Sequence, residues 1–566
     1  MGAVRDQEEI RHATRVALAE PVRRSTSSAE LRRYWLTYVV ALVCVSALAL
    51  AGLALALRDG SWTAAIVPAA IFAGLGGALL ARLREFAAHR HLPGPRPSLL
   101  LGNLGALLVH GHGARDRALA DLHARHGPLV RLHLAWGSAP FVSFAAVPDT
   151  LHRKDLDSNR SADRQLLASS LMGMAMGEQH SLHRRTLMPL FAGAAVAAAL
   201  PRIRDITAGY VATWRTGRTR HGDLQQDIHH WSVTCLGTYL CGEDWRGEDD
   251  MRRYSDALLA IEESISVMAF HPPFVRWPLA GGLRRARAAY RELFEFFAAV
   301  MARRERRLAG RSSAGEPSDV LGALVERRTS ATSPWSQTAC VEELISLVLG
   351  GTDAMSYTAA QALVLLSHDP AIQAEARREI AAAPPPEEDP SFRSSLVMHV
   401  LREALRLFPA VPFSAKVSAG VVHEMGALIP AGTNMMWMKT VVGRNPDVFR
   451  DPGRFDPRRY VDGGESITRA MPFGAGVRHC IGKALAEHQC AALLTAVLRE
   501  FHVEPRGDLK VEYRATVSVV PTCVPVALVP VADGPRCADE APRCVRPAPA
   551  PERVGVCPFA RAGAPT

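Results

Sequence analysis

The chain has 566 residues, long enough for one large domain plus extras or for several small ones, and its 48% hydrophobic and 22% charged residues, with a formal net charge of +10, fit a globular protein with a membrane portion. The positive charge is nearly all Arg and is scattered. No zinc-finger, homeodomain or single-strand-binding pattern accompanies it, so a nucleic-acid partner is not expected.

Residues 1–33 form a polar, Arg-rich segment that reads as cytoplasmic. Two charge-free apolar runs follow, Leu36–Leu57 and Trp62–Ala81, each about the length that spans a bilayer. Arg58, Asp59, Gly60 and Ser61 join them, and Arg82, Arg84 and Arg90 come after. Basic outer flanks predict a two-pass transmembrane hairpin over 34–82, with both ends and the catalytic domain on the cytoplasmic side. A buried hairpin of a soluble domain is the competing reading.

Residues 83–99 contain Pro93-Gly94-Pro95 and read as a stiff hinge. The span 100–532 is mostly amphipathic helix, clearest at Val341–Leu366 and Ile481–Phe501. Shorter β-prone stretches lie at Pro128–Phe144, Lys416–Met438 and Val503–Val529. The expected fold is mainly α with a smaller β region. Stretches near 312–317 and 384–390 read as loops, and the Pro-, Ala- and Arg-rich tail 533–566 is expected to be disordered. The ten cysteines have irregular spacing without a repeated C-x-x-C pair, which points to reduced thiols; Cys537, Cys544 and Cys557 in the tail lack metal-ligand spacing.

One cysteine stands apart. In Phe473-Gly474-Ala475-Gly476-Val477-Arg478-His479-Cys480-Ile481-Gly482, the glycines permit a tight loop whose amides approach a sulfur closely. Cys480 just precedes a long helix, where negative charge is favoured, so its thiolate suits a haem iron. Phe473 would shield the sulfur, and Arg478 offers a fork donor to a haem propionate.

At every fixed position this segment resembles the haem-binding loop of the cytochrome P450 family, and further segments resemble the family in its order. Glu403-Ala404-Leu405-Arg406 followed by Phe455-Asp456-Pro457-Arg458-Arg459 resembles its Glu-Arg-Arg triad, so Glu403, Arg406 and Arg459 are expected to lock the chain beneath the haem. His180 and Arg184, four apart, resemble the helix whose side chains reach the propionates. Lys416 stands where an Arg is usual, giving a point charge instead of a fork. The resemblance covers roughly 92–530. It implies haem b, held by Cys480 with Phe473, Gly474, Gly476, Arg478, Gly482, His180, Arg184 and Lys416 around it.

The distal segment departs from the family. Where the pattern has an acid followed by Thr, this chain has Gly350-Gly351-Thr352-Asp353-Ala354-Met355-Ser356. Asp353 keeps the acid of the proton-delivery pair, and Ala354 replaces the alcohol. Three routes stand open: a substrate hydroxyl or ordered water replaces the alcohol, Ser356 serves one turn on, or the enzyme does not activate O2 reductively.

By the same resemblance Leu166, Leu171, Met172, Leu349, Gly350, Val411, Phe413, Val517 and Val519 line the substrate pocket. The implied function is a monooxygenase inserting one atom of O2 into a lipophilic substrate, such as a lipid, sterol, terpenoid or polyketide. No flavin or ferredoxin module is visible in the sequence, so a separate electron donor, a ferredoxin or flavoprotein reductase, is implied. The alternatives are a peroxide-dependent or non-oxygenating enzyme (isomerase or dehydratase) and a membrane-tethered haem sensor.

Overall fold

The computed structural model describes most of residues 43–531. The main stretches outside the described residues are 1–42, 107–114, 134–139, 148–155, 159–165, 247–256, 262–280, 309–318, 383–394, 507–512 and 532–566. The basic N-terminal segment, much of the first apolar run, both predicted loops, Val517 and the tail with its three cysteines therefore lie outside the description.

Apolar residues at helical spacing give a mainly α architecture. In chain order the helices are α1 (Trp62–His89), α2 (Arg115–His126), α3 (Glu178–Leu187), α4 (Gly193–Arg215), α5 (Leu224–Cys241), α6 (Gly281–Leu308), α7 (Val320–Thr329), α8 (Gln337–Ser367), α9 (Pro370–Ala382), α10 (Leu396–Leu407) and α11 (Lys483–Glu500). Four of their starts carry side-chain caps. Asp223, Asp319, Ser336 and Ser395 each accept the backbone N–H three residues on, at the heads of α5, α7, α8 and α10.

The smaller β region is a five-stranded sheet in the order β1 (Leu129–Leu132), β2 (Phe141–Phe144), β7 (Asn434–Met438), β4 (Phe413–Ser418), β3 (Leu156–Ser158). Only the β2–β7 pairing is parallel, with Phe141 opposite Asn434. The hairpin β5 (Val422–Glu424)–β6 (Ala427–Ile429) and two further pairs complete it: β8 (Phe501–Pro505) with β11 (Val526–Pro530), and β9 (Tyr513–Ala515) with β10 (Val519–Pro521).

The main core gathers around α8, which packs against α5, α6, α10, α11 and β10. Trp214, Trp231, Phe297 and Phe501 are fully buried in it. Most of α8 is enclosed by protein, and that makes its few open positions informative.

At the other end, α1 overruns the apolar sequence that predicted it. The run stops at Ala81, yet the helix continues to His89. Arg82, Glu85, Phe86 and His89 recur at i, i+3, i+4 and i+7 and dock on the sheet. Arg82 pairs with Glu85 at 2.9 Å, Glu85 meets His133 at 2.6 Å, and His89 Nε2 meets Thr433 Oγ1 at 2.7 Å. Among the described residues, one unbroken helical stretch, Ile66–His89, is long and apolar enough to cross a membrane.

Candidate active site

Cys480 stands between a 3-10 turn, Gly476–Arg478, and the head of α11. Gly474 and Gly476 take φ of 70° and 69°, left-handed values that would strain a side chain. The Cys480 N–H donates to the Phe473 carbonyl at 2.9 Å and closes the loop. Burial pushes the thiol pKa up, while the Gly482 N–H, Lys439 and Arg184 act in the opposite direction. Cys480 is nevertheless accessible. Both facts hold if the sulfur lines an interior cavity, hemmed by protein yet open on one side.

A second open surface lies on α8. Along its buried length, Leu347, Gly350, Gly351 and Ala354 are the open positions between Val341 and Ala360, and their spacing puts them on one face. A Cβ on Gly351 would lie 2.7 Å from Leu236 of α5, so that glycine is required by helix packing. A Cβ on Gly350 would meet only Met172, at 3.6 Å. Cys490 of α11 bonds the Met355 carbonyl at 3.5 Å, which ties the helix following Cys480 to this part of α8.

Basic side chains converge on the cysteine loop. The Arg184 guanidinium donates to the His479 carbonyl at 3.0 Å, and burial lowers its pKa against the pull of Cys480. Arg478 donates to the Leu171 carbonyl at 2.8 Å and also to that of Met174, which clamps the 171–176 loop to the cysteine loop. His180 is buried on α3, and Lys416 is buried on β4 opposite Met435 and Ser158. Lys439 was missed from sequence: its ammonium donates to the Pro472 carbonyl at 3.1 Å, beside the sulfur. Its rarity as a lysine in an Arg-rich chain was the only available signal.

Glu403 is fully buried and bound by three side chains, Arg406 at 2.7 Å, Arg459 at 3.0 Å and the Tyr460 hydroxyl at 2.8 Å, and by the Asp456 N–H at 2.9 Å. Arg406 also donates to the carbonyls of Pro452 and Arg454, and Arg459 to that of Arg450. Burial opposes charge on Arg459, but Glu403 and Glu465 outweigh it and raise its pKa.

On the distal side, Asp353 is buried and its Oδ1 lies 3.2 Å from His229 Nδ1 on α5. Ser356 is fully buried and donates to the Asp353 carbonyl at 3.1 Å, off the open face. The structure therefore does not bring Ser356 to the position that Ala354 leaves without an alcohol. Thr352 is fully buried, and its carbonyl accepts from Ser232 at 2.8 Å. Thr358, one turn beyond Ala354 on the same face, was also missed; it donates to the Ala354 carbonyl at 2.7 Å. Of the predicted lining, Leu166 and Leu349 are buried, while Leu171, Met172, Val411 and Phe413 are half-buried. Val519 lies on β10, but its side chain is outside the description.

An accessible lone thiol, a glycine-thinned helix face and three basic side chains at the cysteine loop, Arg184, Lys439 and Arg478, fit an iron macrocycle with anionic arms. Among the described residues no cluster of three or more His, Cys, Asp or Glu could hold a metal ion by itself. Residues 92–523 match the model of the cytochrome P450 family. The chain belongs to the cytochrome P450 family. A cyclooctat-9-en-7-ol 5-monooxygenase from Streptomyces melanosporofaciens is 28% identical over 68% of this chain and 84% of its own. The mitochondrial sterol 26-hydroxylase of Rattus norvegicus is 26% identical over 75% of this chain and 84% of its own, and a putative cytochrome P450 137 of Mycobacterium tuberculosis is 27% identical over 68% and 79%. As a P450, the chain is an oxidoreductase that incorporates oxygen, and its cofactor is haem b on a cysteine thiolate.

Proposed function

We propose that this P450 is a membrane-tethered monooxygenase that inserts one atom of O2 into a lipophilic, hydroxyl-bearing substrate, with electrons from a separate redox protein. The open stripe of α8 beside buried Asp353 carries the reading, because an acid retained next to a glycine-opened face is what proton-consuming oxygen chemistry needs. Haem, when bound, supplies the oxygen-activating centre. Cys480 would hold the iron, and His180, Arg184, Arg478 and Lys416 would hold the propionates. Glu403, Arg406 and Arg459 would keep the proximal loop in place.

Ala354 leaves the alcohol's part to an ordered water or a substrate hydroxyl. The relatives' names are consistent with the second option, since one denotes an alcohol substrate and another a sterol. Leu166, Leu171, Met172, Leu349, Gly350, Val411 and Phe413, with Val517 and Val519, would form the apolar wall that keeps bulk water out. The two-pass hairpin over 34–82, with a cytoplasmic catalytic domain, completes the proposal and gives a lipophilic substrate a bilayer route. The missing alcohol favours one second reading, a peroxide-driven or non-oxygenating enzyme.

The test has two steps. The reduced protein with carbon monoxide should give the band of thiolate-ligated haem, and Cys480→Ser should lose it. Fatty acids, sterols, terpenoids and polyketides are then screened for a substrate-induced spin-state change. Turnover of a hit with NADPH and a generic reductase supports the monooxygenase; turnover on peroxide alone, with Ala354→Thr leaving electron coupling unchanged, supports the second reading.

A further inference from the structure

The buried acid of the distal helix has a partner that no motif announces. His229 Nδ1 lies 3.2 Å from Asp353 Oδ1, with side-chain exposures of 24% and 7%. His229 is held there by the same helix packing that requires Gly351. His229, Ser232 and Leu236 recur at i, i+3 and i+7, so one face of α5 presents all three to α8. Ser232 bonds the Thr352 carbonyl, Leu236 fills the space beside Gly351, and His229 meets the next residue, Asp353.

His230 and Asp227 are the titratable groups described beside His229 on α5. His230 is its neighbour, with ring centroids 5.9 Å apart, and stacks on His221 at 3.8 Å. Burial first, then His221 and His229, push the His230 pKa down to about 3, so His230 stays neutral at working pH. Asp227 points the other way, bound by Trp214 and by the amides of Arg220 and His221. Asp353 is the acid facing His229 from α8.

We propose that His229 is a positioning and proton-relay residue that resupplies Asp353 from solvent. The proposal rests on the oxygen-activation reading. Inserting one atom of O2 and releasing the other as water takes two electrons and two protons per turnover, and a buried carboxylate cannot draw these directly from bulk water. The His229 imidazole, 24% exposed, reaches solvent and can both take up and release a proton. In the relay step the N–H bond of the imidazolium breaks as an O–H bond forms on Asp353. The neutral imidazole then takes a proton from water, and Asp353 passes its own toward the face of α8. No electrons move in the relay.

The test uses the full chain, loaded with haem in lipid nanodiscs and driven by NADPH with a generic reductase, with dioxygen consumption as the probe and no organic substrate added. His229→Gln keeps a hydrogen-bonding side chain that cannot carry a relayed proton. It is expected to slow dioxygen consumption about tenfold at pH ~7, to change the shape of its pH profile, and to enlarge the D2O effect. The carboxyl infrared band that vanishes in Asp353→Asn should titrate at a different pH in His229→Gln, a readout independent of turnover. The carbon-monoxide band and melting temperature should stay at the parent values. A His229→Gln protein with the parent's pH profile, D2O effect and carboxyl titration would overturn the relay alone. A parent that consumes no dioxygen would overturn the oxygen-activation reading and the relay with it.

Discussion

Two adjacent glycines in α8 have different reasons to be glycine, and substitution separates them. Each gains about 1 kcal/mol of helix propensity on becoming Ala. At Gly351 the new methyl would press on Leu236 at 2.7 Å, and overpacking of that kind costs about 1–3 kcal/mol. Gly351→Ala should therefore leave stability level or lower it by up to about 2 kcal/mol, and splay α5 from α8. Gly350→Ala meets only Met172 at ordinary contact distance and should stabilise by up to about 1 kcal/mol while crowding the open face. Urea midpoints compare the two, and haem affinity reports the crowding. The sequence marked both glycines and Cys480 because close backbone approach has a local signature. His229 left no such mark, since its meaning depends on Asp353, which only the pairing of α5 with α8 brings near.

At the scale of elements, buried charge decides how helices and loops are held. Glu403 neutralises two guanidinium groups where no solvent reaches; Glu403→Gln leaves Arg459 with Glu465 alone and Arg406 with no counter-charge, and should cost about 3–5 kcal/mol in denaturant unfolding. The motif made this cluster legible in advance. A second tie was not: Arg304 of α6 binds Asp244, just after α5, and Asp319, the cap of α7, at 2.7 Å. No spacing rule links residues on three elements. Burial would raise the Asp244 pKa, but hydrogen bonds from Arg307 and Arg304 outweigh it and the net shift is downward. A carboxylate depressed on folding contributes stability above its unfolded pKa of about 4, and loses it as pH falls through the folded value. Asp244→Asn should thus be less stable than the parent at pH ~7, by about 2 kcal/mol, with the gap closing below pH ~4. Urea unfolding across that range checks both sign and window.

For the whole molecule, the question is how the apolar N-terminal helix is joined to the catalytic body. The sequence reading placed a hinge at 83–99, because Pro93-Gly94-Pro95 is stiff and turn-prone. The structure instead carries α1 unbroken to His89 and seats its last two turns on the sheet through Arg82, Glu85, Phe86 and His89. Arg131 adds a bond to the His89 carbonyl at 3.2 Å and another to that of Pro95 at 3.0 Å, so the turn into the domain is held as well. Hydropathy alone ends the helix at Ala81 because the docking residues are polar, and their partners lie far along the chain. In the proposed membrane-tethered protein, a seated helix would fix the tilt of the domain against the bilayer, where a loose linker would not. Removing residues 1–81 should therefore release the protein from carbonate-washed membranes while leaving its melting temperature within a few degrees of the parent. Removing 1–92 should also strip the partners of His133 and Thr433 and lower stability by about 2–4 kcal/mol, since buried polar groups would lose their hydrogen bonds. Equal melting temperatures for the two truncations would mean that the last turns of α1 do not stabilise the domain, and the helix would then be only a tether.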